Sequence, residues 1–355
     1  MSSFASSVRS AFAVLCLSGV FLCPGLLSET VAPTYPSNPK YQAAMAEAKT
    51  LFAQRQFTFA KDAYKKASKE AGGQDPVSLK GLYDAEISLG DYKDAAASAS
   101  LMESIAVTPI AKASAEINRG FALSMQAGEK GKPDLLRAAD EAFKAAIENE
   151  PKSGTAHYYD GQVLARLGQI EASAQEFKQC IACISPSDPS YLRAQRFAAN
   201  PALSTAKMAP AFQVVAMDGS RFNLDAMGGR VVLIDFWATW CGPCKEELPQ
   251  MKKIAKEFAG QPLVVISVSW DADETKWKSF IEKNEMTWVQ YRDADHKLSK
   301  NFGVDAIPHY FTIDSDGVLT AEMLGSGSDV EGKLRKLVAK AKARAVQPPL
   351  TATGN

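Results

Sequence analysis

The sequence predicts two unlike bodies in one chain: an α-helical repeat array followed by an α/β domain with a central mixed sheet flanked by helices. Three observations carry that expectation. Between residues 41 and 187, small and aromatic residues recur at a period of about 34 with helix–turn–helix character. After residue 208 the pattern changes to short, unbroken apolar runs, Val231–Trp237 and Leu263–Trp270, separated by helical stretches. All five tryptophans lie between Trp237 and Trp288.

The 355 residues are enough for two or three domains. With 46% hydrophobic and 23% charged residues, the chain can build packed cores. Forty basic side chains balance forty acidic ones, and the balance holds on both sides of Pro210, with 22 against 21 and then 18 against 19. Neither part has the field needed to hold nucleic acid or an anionic membrane by charge, which excludes a general nucleic-acid binder.

Arg9 is the only charge before Glu29 and precedes the apolar run Ala11–Leu22, which Pro24-Gly25 ends. A basic start followed by a short apolar core has the form of a secretory signal, and a membrane span needs about 20 apolar residues. Residues 1–30 are therefore expected to be a signal peptide, with an N-terminal membrane anchor as the alternative. The expected destination is exported, in the periplasm, where thiol chemistry needs electrons supplied from elsewhere. Cys16 and Cys23 would leave with the signal, and the mature chain would keep two C-x-x-C pairs.

Four segments align in residues 41–187. The clearest has Gly161, Leu164, Leu167-Gly168, Phe177 and Pro186. The one before it has Gly120, Leu123, Ala139, Phe143, Ala146 and Pro151, with extra residues at its turn. A third carries Leu89-Gly90 and Ala95, and the weakest has Ala48, Leu51, Ala60, Tyr64 and Ala67. Small residues alternating with aromatics let paired helices interlock and stack into a superhelix. The pattern resembles the tetratricopeptide repeat (TPR) family, which implies a TPR-like solenoid whose face docks a protein partner. An Ala-rich helical array of another type fits the same spacing. His157 occupies a position that normally packs and is expected to be structural. Cys180 and Cys183 fall on the last helix of the array. Packing alone explains Cys180, and a disulfide across that spacing would strain a helix. Inert thiols, a possible second redox pair and half of a zinc site all remain open for them.

Residues 188–207, with Pro189, Pro201 and a short helical stretch near Tyr191–Ala198, are expected to be a linker. Next come a hairpin around Asp218-Gly219 and the buried strand Val231–Trp237. A helix over Pro243–Ala259, the strand Leu263–Trp270 and a helix over Asp273–Asn284 follow. A strand at Thr287–Tyr291 and a short helix at Lys297–Phe302 lead into a hairpin flanking Asp316-Gly317. Ser328 and Glu331 are expected to form a capping box for the last helix, which runs to about Arg344. The α/β domain is thus placed at residues 208–345, and residues 346–355 are expected to be a disordered tail.

The segment Ala238-Thr-Trp-Cys-Gly-Pro-Cys244 joins the central strand to a helix. A cysteine at a helix N-terminus meets unpaired N–H groups and the positive end of the helix dipole, which favour thiolate. Cys241 is therefore expected to be the nucleophile. Cys244, one turn on and expected to be more buried, is placed to resolve a mixed disulfide. Gly242-Pro243 keeps the turn tight enough for the ring to close. Such a pair between a buried strand and a helix is a strong redox signal, and this context argues against zinc.

Asp235-Phe-Trp-Ala-Thr-Trp-Cys-Gly-Pro-Cys244 resembles the thioredoxin active-site segment, and the resemblance covers about residues 208–345. Cys244-Lys-Glu-Glu247-Leu-Pro249 and the helix after Trp270 are similar to the exported TlpA/ResA branch. The resemblance implies a protein thiol–disulfide oxidoreductase that needs no cofactor beyond its redox-active disulfide. It implies that Asp235 and Glu247 assist proton transfer, and that Pro249 kinks its helix. It also implies that Pro308, after Ile307, is a cis-proline facing the disulfide. Trp240, Gly242, Pro243, Ile307 and Pro308 would touch substrate. The lysine that pairs with the buried acid in thioredoxins has no counterpart, and Ser267 falls near its place. His309 is expected to be a rim side chain or a residue tuning the thiols. The implied partners are client protein disulfides and a membrane thiol–disulfide electron donor, with no nucleic acid. Two other readings fit the same residues, a TPR scaffold with a thioredoxin-like recognition module and a peroxide-reducing redoxin, although no peroxidatic P-x-x-x-T-x-x-C pattern precedes Cys241.

Overall fold

The computed structural model describes residues 38–346. The leader read from residues 1–30, and the tail from residue 347 on, lie outside that range. The chain divides between Thr205 and Ala206 into two compact units.

The first unit is helical. It contains α1 (Pro39–Ala53), α2 (Phe57–Glu70), α3 (Pro76–Leu89), α4 (Tyr92–Ile105), α5 (Pro109–Gln126) and α6 (Pro133–Asn149). It continues through α7 (Gly154–Arg166), α8 (Ile170–Cys183) and α9 (Tyr191–Ala199). Three of these helices start by one local device. Asn38, Asp75 and Thr108 each accept a first-turn backbone N–H, and each is followed by a proline. The cap fills an orphan donor, and proline lacks the N–H that would otherwise be orphaned there. Each helix packs on its sequence neighbours.

Glycine–aromatic interlocks hold the pairs together. A Cβ on Gly120 of α5 would lie 2.8 Å from the Phe143 ring of α6, and one on Gly161 of α7 would lie 3.0 Å from the Phe177 ring of α8. Both rings are fully buried, so they have nowhere to move. Gly120→Val is therefore expected to destabilise this unit by about 1–3 kcal/mol through overpacking. A full-length variant melting at or above the wild-type temperature by circular dichroism would contradict that.

Residues 188–207, expected as a linker, instead belong largely to the helical unit. Phe197 of α9 is buried, with its ring 5.2 Å from Phe177 and 6.1 Å from Tyr158. Prolines mark a break in the repeat pattern, but aromatic burial draws the segment back onto α7 and α8. His157 is buried, with Nδ1 2.6 Å from Glu176 Oε2 and Nε2 3.1 Å from the Pro151 carbonyl, a packed and satisfied side chain.

The second unit is built on a five-stranded sheet of order β5-β4-β3-β6-β7. A small hairpin, β1 (Gln213–Val215) and β2 (Arg221–Asn223), precedes it. The sheet strands are β3 (Val231–Trp237), β4 (Leu263–Ser269), β5 (Val289–Arg292), β6 (His309–Ile313) and β7 (Leu319–Leu324). β3 pairs parallel with β4 and antiparallel with β6, β4 pairs parallel with β5, and β6 pairs antiparallel with β7. The helices are α10 (Gly242–Glu257), α11 (Glu274–Lys283), α12 (Lys297–Phe302) and α13 (Val330–Val346).

All seven residues of β3 are buried because both faces of the sheet are covered. Val232, Ile234 and Phe236 pack with Phe311, Leu298 and Phe302 on one side. Val231 and Leu233 pack with Met251 and Ile254 of α10 and Leu334 of α13 on the other. Each such side chain contributes about 1.5–3 kcal/mol on burial. The expected capping box of α13 is not formed. Asp329 accepts the Gly332 N–H, while the Ser328 hydroxyl donates to the Gly325 carbonyl. Glu331 turns instead to Lys253 and Arg335. A carboxylate one residue closer to the helix took the capping role.

Candidate functional site

The end of β3 delivers Trp237 and Ala238 to the start of α10, and both are buried. Thr239 is pinned across the sheet. Its N–H and hydroxyl donate to the buried Asp271 carboxylate at 2.9 and 2.5 Å. Asp271, placed just after β4, also accepts the Ser269 hydroxyl. Sequence reasoning passed over this anchor; the only local signal was an acid two residues beyond Ser269.

Cys241 is the N-cap residue of α10, and Cys244 lies in its first turn with Pro243 at the helix start. The two sulfurs form a disulfide. The Cys244 N–H donates to Cys241 Sγ at 3.2 Å, so the cap position is filled by sulfur where an oxygen would ordinarily sit. Cys244 is not the more buried of the two: Cys241 is 5% exposed and Cys244 7%. In the oxidised form both sulfurs share one apolar nest with Trp237, Trp277 and Ile281, so burial does not distinguish their roles. The cap geometry does, since a helix N-terminus stabilises negative charge on the sulfur it faces.

The Ile307–Pro308 peptide is cis, and the Ile307 carbonyl lies 3.9 Å from Cys241 Sγ. Pro308 is buried and its carbonyl accepts the Gly325 N–H, which ties the loop to the end of β7. Around the pair, Trp240 is 62% exposed, Gly242 and Pro243 are exposed and Ile307 is half-buried. His309 is not a rim residue. It is buried, stacked on Phe311, and its Nε2 lies 3.1 Å from Glu322. The alternation of β6 places it on the sheet face opposite Tyr310 and Asp235. Burial lowers its affinity for a proton.

Asp235 lies in mid-β3, in register with Ser267 of β4 and Tyr310 of β6. Burial pushes its carboxyl up to about 7; the Ser267 hydroxyl, donating at 2.9 Å, opposes the shift, and Glu247 adds to it. Glu247, half-buried on α10, is held by the Gly327 N–H at 2.7 Å. Burial also raises the Tyr310 phenol. The structure thus gathers Cys241, Cys244, Trp240, Ile307 and Pro308 at one end of the sheet, with Asp235 and Glu247 on the α10 side. Cys180 and Cys183 lie on α8 in the other unit as free thiols, the first buried and the second half-buried. Among the described residues, no three His, Cys, Asp or Glu side chains converge to hold a metal ion.

Such a site exchanges electrons through sulfur, and it defines a thiol–disulfide oxidoreductase domain. The Redoxin family matches residues 203–338. Thiol-disulfide oxidoreductase ResA of Bacillus anthracis is 28% identical over 143 residues, covering 40% of this chain and 83% of the relative. Thioredoxin-like protein YneN of Bacillus subtilis is 30% identical over 116 residues, covering 32% of this chain and 67% of that protein. Among solved structures, the thioredoxin domain of a thiol-disulfide oxidoreductase from Bacteroides vulgatus is 28% identical. It covers 38% of this chain and 96% of that one, with a TM-score of 0.35. Through its second unit, the chain belongs to the thioredoxin-like redoxin family.

Proposed function

We propose that the protein is an exported reductant of protein disulfides that works through the Cys241/Cys244 dithiol. The observation that carries this reading is Cys241 Sγ at the N-cap of α10, accepting the Cys244 N–H. In the reduced enzyme, the Cys241 thiolate attacks a client disulfide, forms a mixed disulfide and releases one client thiolate. Cys244 then passes its proton to the Asp235 carboxylate and attacks Cys241 Sγ. The Cys241–Cys244 bond forms, the mixed disulfide breaks, and the second client sulfur leaves and takes a proton from solvent. Two electrons have moved from the dithiol to the client. Glu247 supports proton traffic through its charge on Asp235. Trp240, Gly242, Pro243, Ile307 and Pro308 receive the client chain.

The leader at residues 1–30 supports export to the periplasm, where a membrane thiol–disulfide donor would restore the dithiol. The relatives' printed names support the redox class. The helical unit is read as TPR-like repeats that dock a partner protein, on the strength of the Gly120–Phe143 and Gly161–Phe177 interlocks and the left-handed turn glycines Gly90 and Gly168. Cys180 and Cys183 are read as packing thiols, since burial pushes the Cys180 thiol up to about 12. Mass mapping after alkylation is expected to find both free in oxidised and reduced samples alike; protection of both in oxidised samples only would make them a second redox pair.

The test is turnover. The full-length protein is expected to accelerate dithiothreitol-driven reduction of insulin disulfides. No acceleration, together with thiol-dependent consumption of hydrogen peroxide, would make it a peroxide reductase. Partner capture by the helical unit with no turnover of either kind would make it a scaffold.

A further inference from the structure

Asp235, Ser267 and Gln290 are in register across β3, β4 and β5, so their side chains share the face that carries α10. Trp288 stands two residues before Gln290 and so points to the same face. Its indole N–H donates to Ser267 Oγ at 2.8 Å. Ser267 Oγ in turn donates to Asp235 Oδ2 at 2.9 Å. Ser267 is fully buried, and Asp235 keeps 4% exposure. An indole nitrogen only donates, whereas a hydroxyl both donates and accepts. The Trp288 N–H therefore occupies the acceptor side of the serine and leaves its hydrogen for the carboxylate. A hydroxyl without that partner is free to rotate.

We propose that Ser267 and Trp288 are positioning residues for the proton transfer assigned to Asp235: Trp288 orients the Ser267 hydroxyl, which occupies Asp235 Oδ2 and leaves Oδ1 to take the proton of Cys244. The assignment deepens the proposed function and rests on it. A neutral relay stands here in place of a cation, because no lysine reaches Asp235 from β4. The titratable groups facing Asp235 are Glu247 on α10 and Tyr310 on β6. The cysteine pair lies at the end of β3, β4 contributes the non-titrating Ser267, and the non-titrating Trp288 stands just before β5.

The step concerned is one proton leaving Cys244 and arriving on Asp235, with the pair of electrons staying on sulfur. Removing a hydrogen bond that favours the charged carboxylate makes Asp235 a group that ionises at higher pH. The rate at which Cys244 resolves a mixed disulfide, measured by stopped flow on the full-length protein against pH, should show an acid limb. In Ser267→Ala that limb is expected to move up by about one pH unit, a rate about tenfold lower at any pH below it. Trp288→Phe is expected to move it in the same direction by less, and Ser267→Thr to restore it. A merely structural role would lower melting temperatures but leave the limb in place. Asp235→Asn separates the two levels of the argument. If that variant keeps the limb, the role of Asp235 itself fails. If it abolishes the limb while Ser267→Ala and Ser267→Thr both leave the wild-type midpoint unmoved, Asp235 stands and the positioning assignment is overturned.

Discussion

Cys241→Ser is expected to reduce client-disulfide turnover to background, while Cys244→Ser accumulates the client as a covalent adduct on residue 241. The asymmetry follows from position. Cys241 Sγ sits where the free N–H groups of α10 converge, and the Cys244 N–H already points at it at 3.2 Å. Those dipoles favour a thiolate, so alkylation of the reduced protein should report a Cys241 thiol ionising below the ordinary value of about 8.5. Without Cys241 no sulfur anion is presented to the client. Without Cys244 the first exchange proceeds, but nothing breaks the mixed disulfide, since a serine hydroxyl does not displace a thiolate from sulfur. Mass spectrometry under non-reducing conditions distinguishes the outcomes. Full turnover by Cys241→Ser, or adducts that form on Cys244 instead, would reverse the assignment.

Asp235→Asn is expected to separate stability from activity. A carboxyl that ionises near 7 in the folded chain and near 3.9 when unfolded binds its proton more tightly in the native state. Its stabilising contribution is complete below about pH 4 and is lost as the pH rises through 7. The difference of roughly 3 pH units corresponds to about 4 kcal/mol lost by the wild type across that window. The replacing carboxamide has no proton to lose, so the oxidised variant should gain on the wild type steadily between pH 4 and 8, read as denaturant midpoints. The same substitution removes the acceptor proposed for the Cys244 proton and should slow resolution. Parallel stability curves for the two proteins would show that the buried acid is not strained by ionisation.

Much of the site was legible because its signals are local. Cys241-Gly-Pro-Cys244 between an apolar strand and a helix carries its own chemistry, whereas the cis-proline at Pro308 was expected only through the thioredoxin resemblance. The paired helices were legible for a similar reason: Gly120 and Gly161 are small where Phe143 and Phe177 are large, across the turn that joins each pair. Where several residues compete for one role, local reading goes astray. Asp329 displaces Ser328 as the cap of α13, and Phe197 draws residues expected as a linker into the helical unit. His309 follows the cis-proline in the chain, but strand alternation turns it to the sheet face opposite Asp235 and Tyr310.

From the sequence by itself came the two-part architecture and the reactive pair, since each is written in residue type and short spacing, while Asp235 was singled out through the resemblance of its segment to the thioredoxin active site. Tertiary structure alone decided what surrounds them. Strand register brings Ser267 to Asp235 and Trp288 to Ser267, and it places Asp271 under Thr239. Those contacts join residues 21 to 32 apart in the chain. The ionisation of a buried carboxyl depends on which dipoles and charges reach it through space, and register, a property of the whole sheet, determines that.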